Sequence, residues 1–295
     1  MSAMAGKLAS LASRPSPLRC LICGNSAHTT VLRELEIDIL RCRQCGHIFS
    51  SFRADPHYKG FWGNEVADTG HVYWSHARNP MYEDFLKRFV IGRSGRLLDV
   101  GCGLGFFLQR VAEVGGWETY GSEISPAAAR YAREKLGLSR ILCGPPEKID
   151  LPEKSFDIVT LWDVLDHVAH PDPVLGRCRA LLKSGGMCFI RTPNVRLQLP
   201  RARINRMLKG ARAGVSYLQV RDHLHHYSST TIQKLLERNG FSAVEFLHLR
   251  PVQHPDEGRV RSMAKTAWFA AVELLAAISR GRLNYDNLFV IARKG

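Results

Sequence analysis

The sequence predicts an α/β fold built on a doubly wound, mostly parallel sheet and preceded by a small metal-stabilised ribbon. Short apolar runs at 96–100, 117–121, 140–143, 155–161 and 187–191 alternate with stretches of helical periodicity, which is the pattern of strands joined by helical crossovers. The first run ends in Gly101-Cys102-Gly103-Leu104-Gly105, a glycine loop that opens a helix over 106–114. Ahead of the sheet, Cys20, Cys23, Cys42 and Cys45 form two Cys-x2-Cys pairs eighteen residues apart.

Bulk properties exclude several classes. At 295 residues, with 45% hydrophobic and 23% charged side chains, the chain has material for a sizeable core and is neither wholly disordered nor fibrous. The net charge of +14 favours an anionic partner, whether RNA, a phosphorylated metabolite or an acidic membrane surface. The most apolar stretch, 262–278, carries Lys265 and Glu273, so a membrane-embedded protein is not expected. Residues 1–18 lack acids and a secretory apolar region and read as a disordered tail, an organelle transit peptide being the weaker reading. Cys102, Cys143, Cys178 and Cys188 fall in apolar or glycine-rich strand contexts, which predicts reduced thiols and a cytoplasmic location.

Each Cys-x2-Cys pair is followed by Gly24 or Gly46. A glycine there permits the tight turn that aims backbone N–H groups at sulfur, and two such pairs supply the four thiolates of a structural zinc site. The expected module spans 19–60, with strand material at 30–41, and is too small to hold together without its metal. His47 is an unneeded fifth ligand candidate. Residues 61–94 read as a helical linker covering a cofactor site, and 95–295 as the main domain.

In the main domain the glycines of the 101–105 loop let the backbone approach a ligand, and the following helix offers unpaired N–H groups. Glu123 ends the second strand, just before a helix opened by Ser125-Pro126. An acid at that tip can accept both ribose hydroxyls of an adenosine. Leu98 to Gly105, Glu123, Ser155-Phe156-Asp157, and Leu182-Lys183-Ser184-Gly185-Gly186 with Thr192-Pro193-Asn194 together resemble the successive motifs of class I S-adenosylmethionine-dependent methyltransferases. The resemblance covers roughly 95–250 and implies a seven-stranded sheet. It implies that Gly101, Gly103 and Gly105 pass beside the methionine part of the cofactor, that Glu123 holds the ribose, that Asp99 lies near the amino group, and that Asp163 lines the methyl-donor side. Where the family usually shows a Gly-Asp-Ala-type run this chain has Gly144-Pro145-Pro146-Glu147, which leaves Glu147 or backbone groups for the adenine.

Two polar clusters follow. Asp163, Asp166 and His167 have the spacing to share a helical face. Some quinone O-methyltransferases hold a divalent ion with a similar run, so the three form a candidate Mg²⁺ set, against the alternative of capping acids and a hydrogen-bonded histidine. The second cluster, Asp222-His223-Leu224-His225-His226-Tyr227, resembles the family's histidine-rich turn over the acceptor pocket. His167 and His225 are the candidate general bases. Between 195 and 222 the chain carries Arg196, Arg201, Arg203, Arg206, Lys209 and Arg212 with no acid before Asp222, which reads as a basic lid over the methyl-donor pocket, a membrane-surface helix or a solvated face. The amphipathic stretch 263–278 is expected to pack as a helix, with interfacial lipid contact as the second reading.

A zinc ribbon ahead of such a core resembles bacterial methyltransferases of sugar, polyketide and cell-surface pathways, and also ribosomal RNA guanine N-methyltransferases. The leading expectation is transfer to the oxygen or carbon of a small, anionic or phosphorylated metabolite. A ribosomal RNA base N-methyltransferase and a non-catalytic cofactor-binding module are the alternatives. The acceptor and the oligomeric state are not fixed by the sequence.

Overall fold

The computed structural model describes residues 18–52, 73–210, 216–252, 258–278 and 287–295. The tail at 1–17, the first part of the linker and Arg212 lie outside the described residues.

The ribbon is a hairpin of β1 (His28–Glu34) and β2 (Ile37–Cys42), to which β3 (Ile48–Ser50) adds antiparallel. The 30–41 strand material is therefore two strands. Leu35 and Glu36 take φ of 50° and 60° between them, the positive pair that a two-residue hairpin turn with right-handed twist requires. Gly24 N–H donates to the Cys20 carbonyl and Gly46 N–H to that of Cys42, closing the two knuckle turns.

The main sheet contains β4 (Gly95–Val100), β5 (Trp117–Glu123), β6 (Ile141–Cys143), β7 (Phe156–Trp162), β8 (Leu182–Thr192), β10 (Phe241–Leu247) and β11 (Leu288–Lys294). Their order is β10-β11-β8-β7-β4-β5-β6, with β11 antiparallel to both neighbours and the β6-to-β8 part parallel. The helices are α1 (Asn79–Phe89), α2 (Phe106–Val114), α3 (Pro126–Glu134), α4 (Pro171–Leu181), α5 (Val195–Lys209), α6 (Ser229–Arg238) and α7 (Arg259–Ile278). Strand order reverses between β4 and β7, and the crevice beyond their carboxyl ends is where such sheets bind ligands.

Alternate strand residues serve two cores, as period-two side chains must. Leu97, Ile158, Trp162 and Phe189 pack under α1 and α2 with Phe85 and Phe107. Leu98, Val100, Val159 and Ile190 pack under α4 and α6, and the same cluster takes in Cys20, Ile22, Leu40 and Phe49 of the ribbon. The ribbon is thus continuous with the main core, and β9 (His225–His226) completes its sheet by pairing with β3.

Two expectations for peripheral helices are corrected. The basic side chains do not form the expected lid over the methyl-donor pocket: none of Arg196, Arg201, Arg203 and Arg206 lines it, although Gln198 of the same helix does. Val195, Leu199 and Ala202 of α5 are buried against Leu32, Ile37, Ile39 and Ile48 of the ribbon, and Arg203 and Arg206 donate to the edge carbonyls of Val31 and Arg33. Helix α7 is not packed along its length: Val272 alone among its described side chains is buried, while Val260, Met263, Trp268, Leu274, Leu275 and Ile278 are exposed.

A Cβ at Gly121 in mid-sheet would stand 2.7 Å from Ile141 Cδ1 and 2.8 Å from both Cys102 Sγ and Leu108 Cδ1. Overpacking of this kind costs about 1–3 kcal/mol. Gly121→Val is therefore expected to lower the thermal midpoint by roughly 2–4 °C per kcal/mol lost. Differential scanning calorimetry checks it, and an unchanged midpoint contradicts the packing.

Candidate active site

A cavity of about 1080 Å³ opens at the carboxyl ends of β4, β5 and β7. Its floor is the glycine loop, where Gly101, Gly103 and Gly105 have φ of 69°, 56° and 88°, values that L side chains adopt only with strain. The loop is held from below: Gly101 and Cys102 N–H groups donate to the Ser122 carbonyl at 2.8 and 3.0 Å. It is held from the side by Glu123, whose Oε2 accepts from Gly103 N–H and whose Oε1 accepts from Ser125 N–H, each at 2.8 Å. A carboxylate offers about four lone-pair directions, so one on each oxygen remains for hydroxyl donors. Burial raises the Glu123 pKa, and the Ser125 and Gly103 N–H groups oppose that rise.

Asp99, at 2% exposure, accepts from Thr160 Oγ1 at 2.7 Å. Burial, with added repulsion from Glu123, pushes it up to about 8, which favours its protonated form. An ammonium placed beside it would restore the carboxylate. Glu147 is exposed and stands on the rim with Gly144, Pro145 and Pro146.

On the opposite side the geometry departs from the sequence reading. Residues 163–167 form a turn, not a helix, so Asp163, Asp166 and His167 do not share a helical face. Asp163, with φ of 57°, is gripped by Arg78 from one side and Arg191 from the other. Burial alone would raise its pKa, but the Arg191 and Arg78 charges outweigh that and hold it at about 2. Its oxygens are committed to two guanidinium groups, which removes it from the candidate Mg²⁺ set. The three groups leave one net positive charge on the wall.

Asp166 instead joins His167 and His223. It is 1% exposed, and its Oδ2 lies 3.4 Å from His223 Nε2 and 3.7 Å from His167 Nε2. Neither Asp166 oxygen accepts a hydrogen bond from the described residues. The three ligand atoms lie within 4.8 Å of one another. His167 Nδ1 meets the Asp222 carbonyl at 2.9 Å. His223 is held below the ordinary imidazole pKa by burial, against an opposing pull from Asp166. Both His167 and His223 line the cavity.

His225, the other base candidate, stands elsewhere. It stacks on His47 of the ribbon, with His47 Nε2 3.4 Å from its Nδ1, and is absent from the cavity wall. The physical reason is strand alternation: pairing of β9 with β3 turns His225 toward Phe49 and His47. Sequence reasoning also passed over Arg78, Tyr82, Trp162 and Arg191, all of which line the cavity. Arg191 gave a signal, as a cation at the end of an otherwise apolar strand. Arg78 gave none, because its partner is 85 residues away.

A family model described as methyltransferase domain matches residues 73–245, more than half of the chain. The ubiquinone biosynthesis O-methyltransferase of Nitrosococcus oceani is 29% identical over 147 residues, 44% of this chain and 62% of its own. That of Bradyrhizobium sp. is 39% identical over 104 residues, 34% of this chain and 40% of its own. The chain therefore spans only part of these curated relatives. In fold it is similar to Haemonchus contortus phosphoethanolamine N-methyltransferase 2 in complex with S-adenosyl-L-methionine (TM-score 0.51, 17% identity, 78% of this chain and 57% of that one). It is likewise similar to an S-adenosylmethionine-dependent methyltransferase of Mesorhizobium loti (TM-score 0.50, 20% identity, 75% and 100%). With its family model, its sheet order and its glycine loop in agreement, the chain belongs to the class I S-adenosylmethionine-dependent methyltransferases.

Proposed function

We propose that the protein transfers a methyl group from S-adenosylmethionine to a hydroxyl oxygen of a small anionic metabolite, with His167 as general base. The observation that carries this is the pair His167 and His223 on the cavity wall, with the buried Asp166 facing both. The names of the relatives favour oxygen over carbon as the atom methylated.

The donor fits the residues present. Glu123 has lone pairs left for the ribose hydroxyls, and the glycine loop gives room for the methionine part. Asp99 takes the amino group, and Glu147 stands at the adenine end. Bound S-adenosylmethionine supplies a methyl carbon on a positive sulfonium, so that as the acceptor oxygen bonds to that carbon the carbon–sulfur bond breaks. His167 takes the hydroxyl proton at Nε2, its Nδ1 being committed to the Asp222 carbonyl, and Asp166 stabilises the imidazolium that results. The net positive charge of Arg78, Asp163 and Arg191 attracts an anionic acceptor. The four ribbon thiols lie within 4.8 Å of one another, close to the edge of about 3.8 Å that a tetrahedral site with Zn–S near 2.3 Å requires. They would hold a structural zinc.

A second reading concerns metal. A buried carboxylate that accepts no hydrogen bond is costly unless a cation faces it, so Asp166, His167 and His223 form the set that would hold a divalent ion such as Mg²⁺ beside the acceptor.

Incubation with methyl-labelled donor and separate pools of dihydroxybenzoates, sugar phosphates and RNA tests the function. Label is expected on a small hydroxylated anion, and label on RNA overturns the proposal. His167→Ala should lower kcat by about 10²–10⁴ with cofactor affinity retained. Chelation followed by Mg²⁺ addition separates the metal reading, since the rate must fall and recover.

Glu123→Ala removes the acceptor of both ribose hydroxyls, each charged hydrogen bond contributing about 1.5–3 kcal/mol. Calorimetric titration should show the dissociation constant rising by at least about tenfold per bond lost, and an unchanged constant rejects the placement. Elemental analysis of the purified protein should find about one zinc per chain. Metal-free protein with a protease-resistant ribbon would reject the site.

A further inference from the structure

We propose that Glu34 of the ribbon is a positioning residue for the acceptor-side histidines, so that the ribbon is a structural wall of the methyl-acceptor site. Glu34 is 7% exposed and lies at the end of β1. Its Oε2 accepts from Ser216 Oγ at 2.8 Å, Tyr217 N–H at 2.9 Å and Leu218 N–H at 3.2 Å. One carboxylate thus gathers three consecutive residues that lie more than 180 positions further along the chain.

The contacts continue into the cavity. Gln219, next in line, has φ of 53° and lines the cavity. Its carbonyl accepts from the N–H groups of Asp222 and His223 at 2.9 and 2.8 Å, and the Asp222 carbonyl in turn meets His167 Nδ1. Both histidines facing Asp166 are therefore tied, within two hydrogen bonds, to the turn that Glu34 holds. β3 fixes the far end of the same segment: Ser50 N–H donates to the Leu224 carbonyl and Ser50 Oγ to that of Val220, each at 2.9 Å. Arg238 adds a clamp between the first cysteine knuckle and α4, donating to the Leu21 and Ile22 carbonyls and to Asp172.

A buried carboxylate that accepts three donors is expensive to desolvate and tolerates little displacement. It sets where the turn sits, and the turn sets the distance from His223 to Asp166. No other described segment contributes a charged anchor to residues 216–218. Among the described residues the cofactor end, held by Glu123 and β5, has no such link to the ribbon. Loss of Glu34 should therefore loosen the acceptor side and leave the donor side intact.

This inference rests on reading His223 and His167 as the acceptor side, but its readouts need no acceptor, so the two fail separately. The full chain with S-adenosylmethionine bound is followed by hydrogen exchange and by the imidazole signals of ¹³C-histidine-labelled protein. In Glu34→Ala, amides of 216–227 should exchange at least about tenfold faster, while 95–134 stays protected and cofactor affinity holds within about twofold. The His167 and His223 signals should shift. Glu34→Gln keeps an acceptor oxygen and should restore both readouts. Ser216→Ala, which leaves the ribbon untouched, should change them in the same direction. Unchanged protection of 216–227 in both alanine variants, loss of protection confined to 28–42, or histidine signals that do not move overturns the proposal.

Discussion

At the end of β5 a carboxylate that is 6% exposed accepts backbone N–H groups from two separate segments, Gly103 and Ser125, and the cavity floor depends on that pair of bonds. One bond holds the glycine loop open in its positive-φ conformation. The other fixes the entry to α3, whose first turn Ser125 caps by accepting from Ala128 N–H. Both anchors sit where the sheet order reverses, so the crevice and the residues that shape it arise from one topological feature. Bringing Glu123 out of water is affordable because the two N–H groups meet its charge.

The opposite wall solves a related problem differently. Asp163 is buried between Arg78 and Arg191, and the two guanidinium groups together exceed its charge by one. Desolvating such a triad is expensive. It brings together the start of α1, the end of β7 and the end of β8, three segments that no short-range contact would align. Asp166, only three residues on, has no such donors and faces two imidazoles. Two acids of one turn therefore have different chemistry, set by what the fold places opposite each.

The ribbon is joined to this wall rather than appended to it. Its sheet borrows β9, its apolar side enters the main core, and its hairpin packs against α5. Apolar burial of this kind stabilises by about 25 cal/mol per Å² removed from water, which gives a small module far more support than its own core provides. The basic residues of α5 are used in the same seam, where Arg203 and Arg206 satisfy strand-edge carbonyls of β1.

The strands, the glycine loop, Glu123 and the cysteine pairs were legible because each is local. Period-two apolar runs, glycines that must take positive φ, and Cys-x2-Cys turns are defined within a few residues, and together they determine the sheet and its crevice. The cavity's other wall was legible only in residue type. Histidines and acids were present at 163–167 and 222–227, but whether they face the cavity, a cation or the ribbon depends on partners as distant as His47, Arg78 and Glu34. Strand alternation sent His225 into the ribbon seam, and two arginines from separate elements took Asp163. The sequence by itself determined the crevice floored by the glycine loop and Glu123, because that end is built from one β-loop-α unit and the strand beside it. Only the tertiary structure decided which side chains form the cavity's other wall, because hydrogen bonds and ion pairs across 28 to 184 residues carry no local pattern.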